Sequence, residues 1–429
     1  MVGLLPGWAA RAQLPAFPWD QLAPSAEDAR RHPGGIVDLS IGTPVDPTPA
    51  VVQQALWEAA DAPGYPLTIG TPALRSAVVD WVSRRLGGTV TADEVLPSIG
   101  SKELVALLPS LLGLTGRQVL IPALAYPTYD AGARLAGCEP VATDDPTAHD
   151  PSRVGLVWVN SPGNPAGQVL SAAELARVVA WGREHGVLVA SDECYVELGW
   201  EAEPVSVLHP SVCGGSTEGV LALHSLSKRS NLAGYRAGFA AGDAHAVSLL
   251  VEARKHIGLL MPTPVQAALV AALGDDEHVL AQKERYRARR TVLRDAVLAA
   301  GFRVDHSVGG LYLWVTRDEP CWDTVAWLAG RGVLAAPGEF YGAAGARHVR
   351  LALTATDERI AAAAERLTAP YAPPPPHPSA PFMINGTGRG YRGPLVPVLL
   401  PLITRVGLSP GAAALHSPPR QGRASHRSG

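Results

Sequence analysis

A chain of 429 residues with 47% hydrophobic content is too long for one small domain and can fill a large core, so two domains sharing an interface are expected. The formal net charge of −3 offers no electrostatic reason for a nucleic acid or an anionic membrane as partner. Cys138, Cys194, Cys213 and Cys321 are scattered without a CxxC pair, which disfavours metal and disulfide-framework readings and points to a reducing, cytoplasmic setting.

Residues 1–35 read as a proline-rich arm. The first twenty residues are interrupted by prolines and hold no continuous apolar segment, so neither a signal peptide nor a membrane span is expected there. From Ile36 to about Pro264, short apolar runs alternate with helical patterns. Val119-Leu120-Ile121, Val154 to Val159, Val187 to Ala190 and Val220 to Leu223 each end in small, polar or turn-forming residues, and a helical stretch such as Ala172–His185 lies between runs. That alternation predicts an α/β fold with a mainly parallel sheet covered on both faces.

Beyond Pro264 the texture changes. A long helical pattern over Val265–Ala300, broken near Gly274-Asp275, precedes an alternating strand over Gly309–Val315. A strand over His348–Leu353 and a helix ending near Leu367 follow, so residues 265–370 predict a smaller α+β domain. Residues 371–429 open on four consecutive prolines from Pro373 and contain no Asp or Glu after them, which reads as a disordered Pro/Gly-rich tail.

Ligands of such sheets bind beyond the carboxyl ends of the strands. Asn160, Asp192 and the group Ser225 to Lys228 all fall at such ends, so one shared site is expected. In Ser225-Leu226-Ser227-Lys228 a single amine stands between hydroxyls, with Arg236 eight residues on. An amine can capture an aldehyde, while hydroxyls and a guanidinium suit phosphate oxygens. Gly100-Ser101-Lys102 opens a predicted helix over Glu103–Leu112, and backbone N–H groups at a helix start favour an anion.

These segments resemble the class I and II aminotransferases of fold type I, which use pyridoxal 5'-phosphate. The resemblance covers roughly Ile36 to Leu367 and rests on three patterns in the family's order: Asn160 to Gly167 for NxPxNPxG, Asp192-Glu193-Cys194-Tyr195 for DExY, and Ser225 to Gly238 for SxSKxxxxxGxRxG. It implies a fold-type I, mainly parallel seven-stranded sheet in the larger domain. Lys228 would be the lysine that takes the cofactor's aldehyde and moves the substrate Cα proton. Asp192 would face the pyridine nitrogen, and Tyr195 with Asn164 would bond the ring's phenolic oxygen. Tyr126 resembles the aromatic stacked on the ring, while Gly100, Ser101, Lys102, Ser225, Ser227 and Arg236 would surround the phosphate. Tyr65 matches a tyrosine that reaches the phosphate of a second subunit, implying a homodimer with shared sites. Arg350 would grip the substrate α-carboxylate as a bidentate pair near Gly42, and Asn164 would also face substrate.

Longer stretches, including His224 to Phe239, Arg254-Lys255-His256, Met261 to Gln266 and Ala336 to Gly342, resemble the succinyldiaminopimelate transaminases of actinobacteria within that family. This resemblance implies exchange between glutamate and N-succinyl-2-amino-6-oxopimelate in lysine biosynthesis. Such a substrate carries several carboxylates; Arg229, Arg254 and Lys255 are further cations in these stretches, read by default as solvated surface charges. Aminotransferases for aromatic, methionine or kynurenine substrates and carbon–sulfur lyases of the same fold share the same catalytic residues. A cofactor-sensing regulator would carry a winged-helix domain ahead of Ile36, where only about 35 residues stand. A metal is not expected.

Overall fold

A computed structural model describes residues 14–370; the tail expected over 371–429 and the first part of the arm lie outside the described residues. Seven strands form the larger sheet. They are β2 (Val95–Ile99), β3 (Gln118–Ile121), β4 (Glu139–Ala142), β5 (Val154–Asn160), β6 (Leu188–Asp192), β7 (Val220–Ser225) and β8 (Ala237–Gly242), in the spatial order β2-β8-β7-β6-β5-β3-β4. All pairings are parallel except those of β8, which runs antiparallel to β2 and β7.

The apolar runs are near-continuous because both faces are covered. Along β5, Val157 and Val159 join one core cluster, with Val189 and Ala222 beside them. Leu156 and Trp158 join the cluster on the other face with Ala190, Leu221 and Leu223. The helix Ala172–His185 between β5 and β6 is delimited by its own sequence: Ser171 and Glu174 cap each other's backbone at the start, and Gly186 takes the left-handed conformation at the end.

A second sheet of four strands has the order β12-β13-β10-β9, from Arg303–Asp305 (β9), Tyr312–Thr316 (β10), Ala336–Pro337 (β12) and Val349–Ala352 (β13). The strand expected from Gly309 begins at Tyr312, because Gly310 sits at φ +77°, outside extended geometry. The long helical pattern resolves into Thr263–Gly274 and Glu277–Ala299, parted at Asp275-Asp276.

The division into domains departs from expectation at one strand. Val37–Asp38 (β1), placed by sequence at the start of the larger domain, pairs in parallel with Val333–Leu334 (β11). Val37 and Leu39 are buried with the second core cluster, so Ile36 is not where the chain passes into the larger body. The arm also has structure: a helix spans Ala23–Arg30, and Leu22 and Ala26 pack into the same cluster.

Candidate active site

Three parallel strands end side by side in register, with Asn160 on β5 opposite Asp192 on β6, and Asp192 opposite Leu223 two residues before the end of β7. A cavity of about 890 Å³ opens at these ends. Its wall takes Asn164, Asp192, Tyr195, Ser225, Ser227 and Lys228 from the strand ends and following turns. The second sheet contributes Tyr312 and Arg350, and residues Leu14 to Trp19 of the arm close one side. Of the strand-end groups expected to share one site, Asp192 and the Ser225 to Lys228 group line this cavity, while Asn160 stands behind its wall, bonded to Asp192 and Asn164.

Asp192 is buried and accepts the Tyr129 O–H at 2.9 Å and the Cys194 backbone N–H at 3.2 Å. Burial raises its pKa, while these donors act in the opposite direction. Asn160 braces the region: its Nδ2 donates to Asp192 O at 2.8 Å, and its Oδ1 accepts from Asn164 N at 2.8 Å. Lys228 is partly buried and donates from Nζ to the Gly42 carbonyl. Burial lowers its pKa, which favours the neutral amine. The Tyr195 and Tyr312 hydroxyls lie 3.0 Å apart, and burial pushes Tyr195 well above the ordinary phenol value. Tyr126 lines the cavity, edge-on to Tyr129 at 5.9 Å, and burial raises it to about 12.

A phosphate-sized cradle lies at one end. Gly100 at φ +70° starts the helix Ser101–Leu111, and a Cβ on it would collide with the Arg236 guanidinium. Ser225 Oγ donates to Ser227 Oγ at 2.9 Å, and Ser101 Oγ lies 3.1 Å from Cys194 Sγ. A helix N-terminus, three hydroxyls and a guanidinium that glycine alone lets approach are a donor set for a dianion. With a carboxylate, an amine and an aromatic beside the cradle, the residues fit pyridoxal phosphate. Lys102 lines the same cavity but sends Nζ towards the Phe17 ring, 5.9 Å from its centroid.

Arg350 is buried, donating from Nη1 to Asn164 Oδ1 at 2.8 Å and from Nη2 to Ser40 O at 2.6 Å, with its Nε unpartnered. It stacks on Tyr312 at 4.0 Å and has no carboxylate partner among the described residues. Tyr65 stands apart from this cavity, 98% exposed.

Two cations expected in solvent are not there. Arg229 and Arg254 are buried, the first paired with Glu197 and the second held on Nη2 by both oxygens of Glu103 at 2.7 Å. A buried guanidinium needs such an acid, and neither arginine lines the cavity. Lys255 is exposed on Glu252, as expected. Sequence reasoning misses Tyr129, Tyr312 and Trp19. Tyr129 follows Tyr126 by three residues, the single signal available for it in sequence, and stands in the first turn of the helix Thr128–Leu135 while Tyr126 precedes that helix.

The family model described as aminotransferase class I and II matches residues 35–367. A probable aminotransferase of Mycobacterium tuberculosis is 59% identical over 83% of this chain and 86% of its own length. The 4-dedimethylamino-4-oxo-anhydrotetracycline transaminase OxyQ of Streptomyces rimosus is 57% identical over 83% of this chain and 99% of its own. Among solved structures, a probable N-succinyldiaminopimelate aminotransferase of Thermus thermophilus superposes with TM-score 0.74 at 30% identity, covering 82% of this chain and 99% of that one. Among the described residues, no helix is long and apolar enough to cross a membrane, and no cluster of His, Cys, Asp and Glu could hold a metal ion.

Proposed function

The chain belongs to the class I and II aminotransferases, enzymes that depend on pyridoxal 5'-phosphate and act on amino and 2-oxo acids, and on that premise we propose that it moves an amino group between glutamate and N-succinyl-2-amino-6-oxopimelate. One observation carries the substrate: of the four cations lining the cavity without a carboxylate partner among the described residues, Lys228 and Arg236 are taken by the cofactor's aldehyde and phosphate, which leaves buried Arg350 and exposed Lys102. The two cations left over suit an acid that carries a distal carboxylate besides its α-carboxylate. The Thermus relative is named for that substrate.

Pyridoxal phosphate, when bound, supplies an aldehyde that receives the amino group and a ring that accepts the electron pair left at Cα. Gly100, Ser101, Ser225, Ser227 and Arg236 would hold its phosphate. Asp192 would keep the ring nitrogen protonated, a task for a carboxylate shielded from water and held by Tyr129. Tyr195 and Asn164 would face the phenolic oxygen, with Tyr126 against the ring. Lys228 takes the proton from Cα on Nζ and returns it, helped by the burial that keeps its amine neutral. Arg350 fixes the α-carboxylate, and Gly42 brings backbone close beside it. Lys102, first assigned to the phosphate, takes the distal carboxylate in this reading.

A second reading has specific support. Leu14, Phe17 and Trp19 give the cavity an apolar wall, and OxyQ, whose name specifies a polycyclic ketone, shares 57% identity. A panel of oxo acids and ketones with glutamate as donor, read as 2-oxoglutarate formed, separates the two. The succinylated oxo acid is expected to exceed simple aromatic and aliphatic acceptors at least about tenfold in kcat/KM, the value of one ionic contact. Lys102→Ala should remove that advantage while leaving monocarboxylate acceptors unaffected. A polycyclic ketone preferred over the succinylated acid would replace the first reading.

We also infer a homodimer in the cytoplasm. Tyr65, Leu67 and Trp57 are exposed at 98%, 58% and 73%, an apolar surface that a second copy would cover while Tyr65 reached its phosphate. All four cysteines are free.

A further inference from the structure

By the strand ends lies a second, small cavity of about 10 Å³, the size of a single water. It shares Cys194 and Ser225 with the cofactor cavity and is otherwise lined by residues such as Trp81, Glu193, His224 and Phe239. His224 packs on Trp81 and Phe239, members of the core cluster on one face of the sheet, whereas Asp192 meets Tyr129 of the cluster on the other face. Glu193, just past the end of β6, faces His224. Four buried polar atoms of residues lining this cavity lack a hydrogen bond of good geometry: Glu193 Oε2, both ring nitrogens of His224, and Arg229 Nη2. The Ser206 and Ser191 hydroxyls lie by the Glu193 carboxyl, and the Glu193 backbone lies by the His224 ring. Glu193 Oε2 and His224 Nε2 stand 3.6 Å apart, beyond direct hydrogen bonding.

We propose that one water in this cavity bridges Glu193, His224 and Arg229, and that Glu193 and His224 form a proton-sharing positioning pair next to Asp192 and Ser225. The pair is held from every side. Glu193 Oε1 accepts the Val207 N–H at 2.8 Å, and its backbone N–H donates to Leu223 O at 2.9 Å, tying the end of β6 to β7. His224 packs edge-on to Trp81 at 5.0 Å and against Phe239 at 5.1 Å. The charged and titratable groups facing Glu193 are Asp192 and Cys194 beside it, His224 on β7, and Arg229, which Glu197 neutralises together with Arg85.

Burial raises Glu193 to about 7 and lowers His224 to about 3. Near neutral pH the imidazole is therefore an uncharged acceptor. Below about 7 the proton rests on Glu193 and is offered through the water to His224. As pH rises through that value the proton leaves, and a second carboxylate then stands beside Asp192. Like charge favours the protonated form of Asp192, so Asp192 becomes less able to hold a proton on a ring nitrogen. The rate should fall along that limb.

The inference rests on the proposed role of Asp192. The test uses holoenzyme in three arms. Infrared spectra against pH should contain the C=O band of a protonated carboxyl that titrates near 7 and is absent in Glu193→Gln. The kcat/KM profile of Glu193→Gln should lose the limb near 7, with the plateau lowered by about fivefold, the equivalent of one neutral hydrogen bond. A crystal structure of the unsubstituted holoenzyme should contain one water within hydrogen-bond distance of Glu193 Oε2 and a His224 ring nitrogen. A dry cavity, or a Glu193→Gln pH profile matching that of the parent, overturns the proposal. If Asp192→Asn leaves the rate intact while the infrared band titrates, the role of Asp192 fails instead.

Discussion

Arg350→Lys tests the substrate grip more sharply than deletion, because it retains the charge. Arginine has five N–H donors, and here one on Nη1 goes to Asn164 and one on Nη2 to Ser40 O, leaving the buried Nε and one donor on each terminal nitrogen, and those last two can meet both oxygens of a substrate carboxylate. Lysine has three donors in all. With two still satisfying Asn164 and Ser40, one is left, so a two-point grip becomes a single contact. Losing one hydrogen bond to a charged group costs about 1.5–3 kcal/mol, or roughly 10- to 150-fold in kcat/KM. The assay is the half-reaction with glutamate, followed by the cofactor's absorbance in a single turnover, alongside the cofactor's Kd. Glutamate kcat/KM should fall in that range while the cofactor's Kd is unaltered, since Arg350 lies outside the phosphate cradle. A change of under about threefold, smaller than one ordinary hydrogen bond, or an equal loss in cofactor affinity, would refute the two-point grip.

Tyr129→Phe removes the O–H donated to Asp192 and leaves the ring stacked on Trp158 at 5.0 Å. The donor favours the carboxylate, so without it Asp192 ionises at higher pH. The acid limb of kcat should move upward in pH, with kcat down by about tenfold at neutral pH; an unmoved limb would show that Tyr129 is packing alone. Lys228→Ala should lose at least about 100-fold in kcat, the lower range for a general base. Borohydride reduction and mass measurement should find no cofactor attached to the variant, and attachment at another lysine would sink the assignment.

The strand-end residues were legible because their signal is local. An apolar run that stops at Asn160, Asp192 or Ser225 marks the carboxyl edge of a parallel sheet whatever the rest of the chain does. Tyr312 was not legible as a site residue, although its strand was. Its place beside Arg350 comes from register: Arg350 pairs with Trp314 and Ala352 with Tyr312, so Tyr312 and Arg350 become diagonal neighbours on one face. Arg254 failed for a related reason. An arginine near a helix end reads as solvated until its acid is found, and Glu103 lies 151 residues away. Trp19 needed the arm's path, and local propensity carries no information on where a proline-rich segment settles.

The pair Asp192-Glu193 shows what such long-range placement does to chemistry. In the string they are two adjacent carboxylates at one strand end. In the fold their side chains meet different neighbours, Tyr129 for Asp192 and His224 for Glu193, and burial raises the pKa of both. Asp192 meets a phenol O–H and a backbone N–H that stabilise its charge. Glu193 has the Val207 N–H at one oxygen and the Ser206 and Ser191 hydroxyls nearby, but its other oxygen, towards His224, has no hydrogen bond of good geometry, and burial takes it to about 7. Groups of one type driven apart by their surroundings can divide ionised and protonated roles between them. Asp192 suits the task of a permanent charge, and Glu193 that of a proton held close to neutrality. The end of β6 between them therefore leaves one dipeptide as two different acids, one for the cofactor and one facing His224.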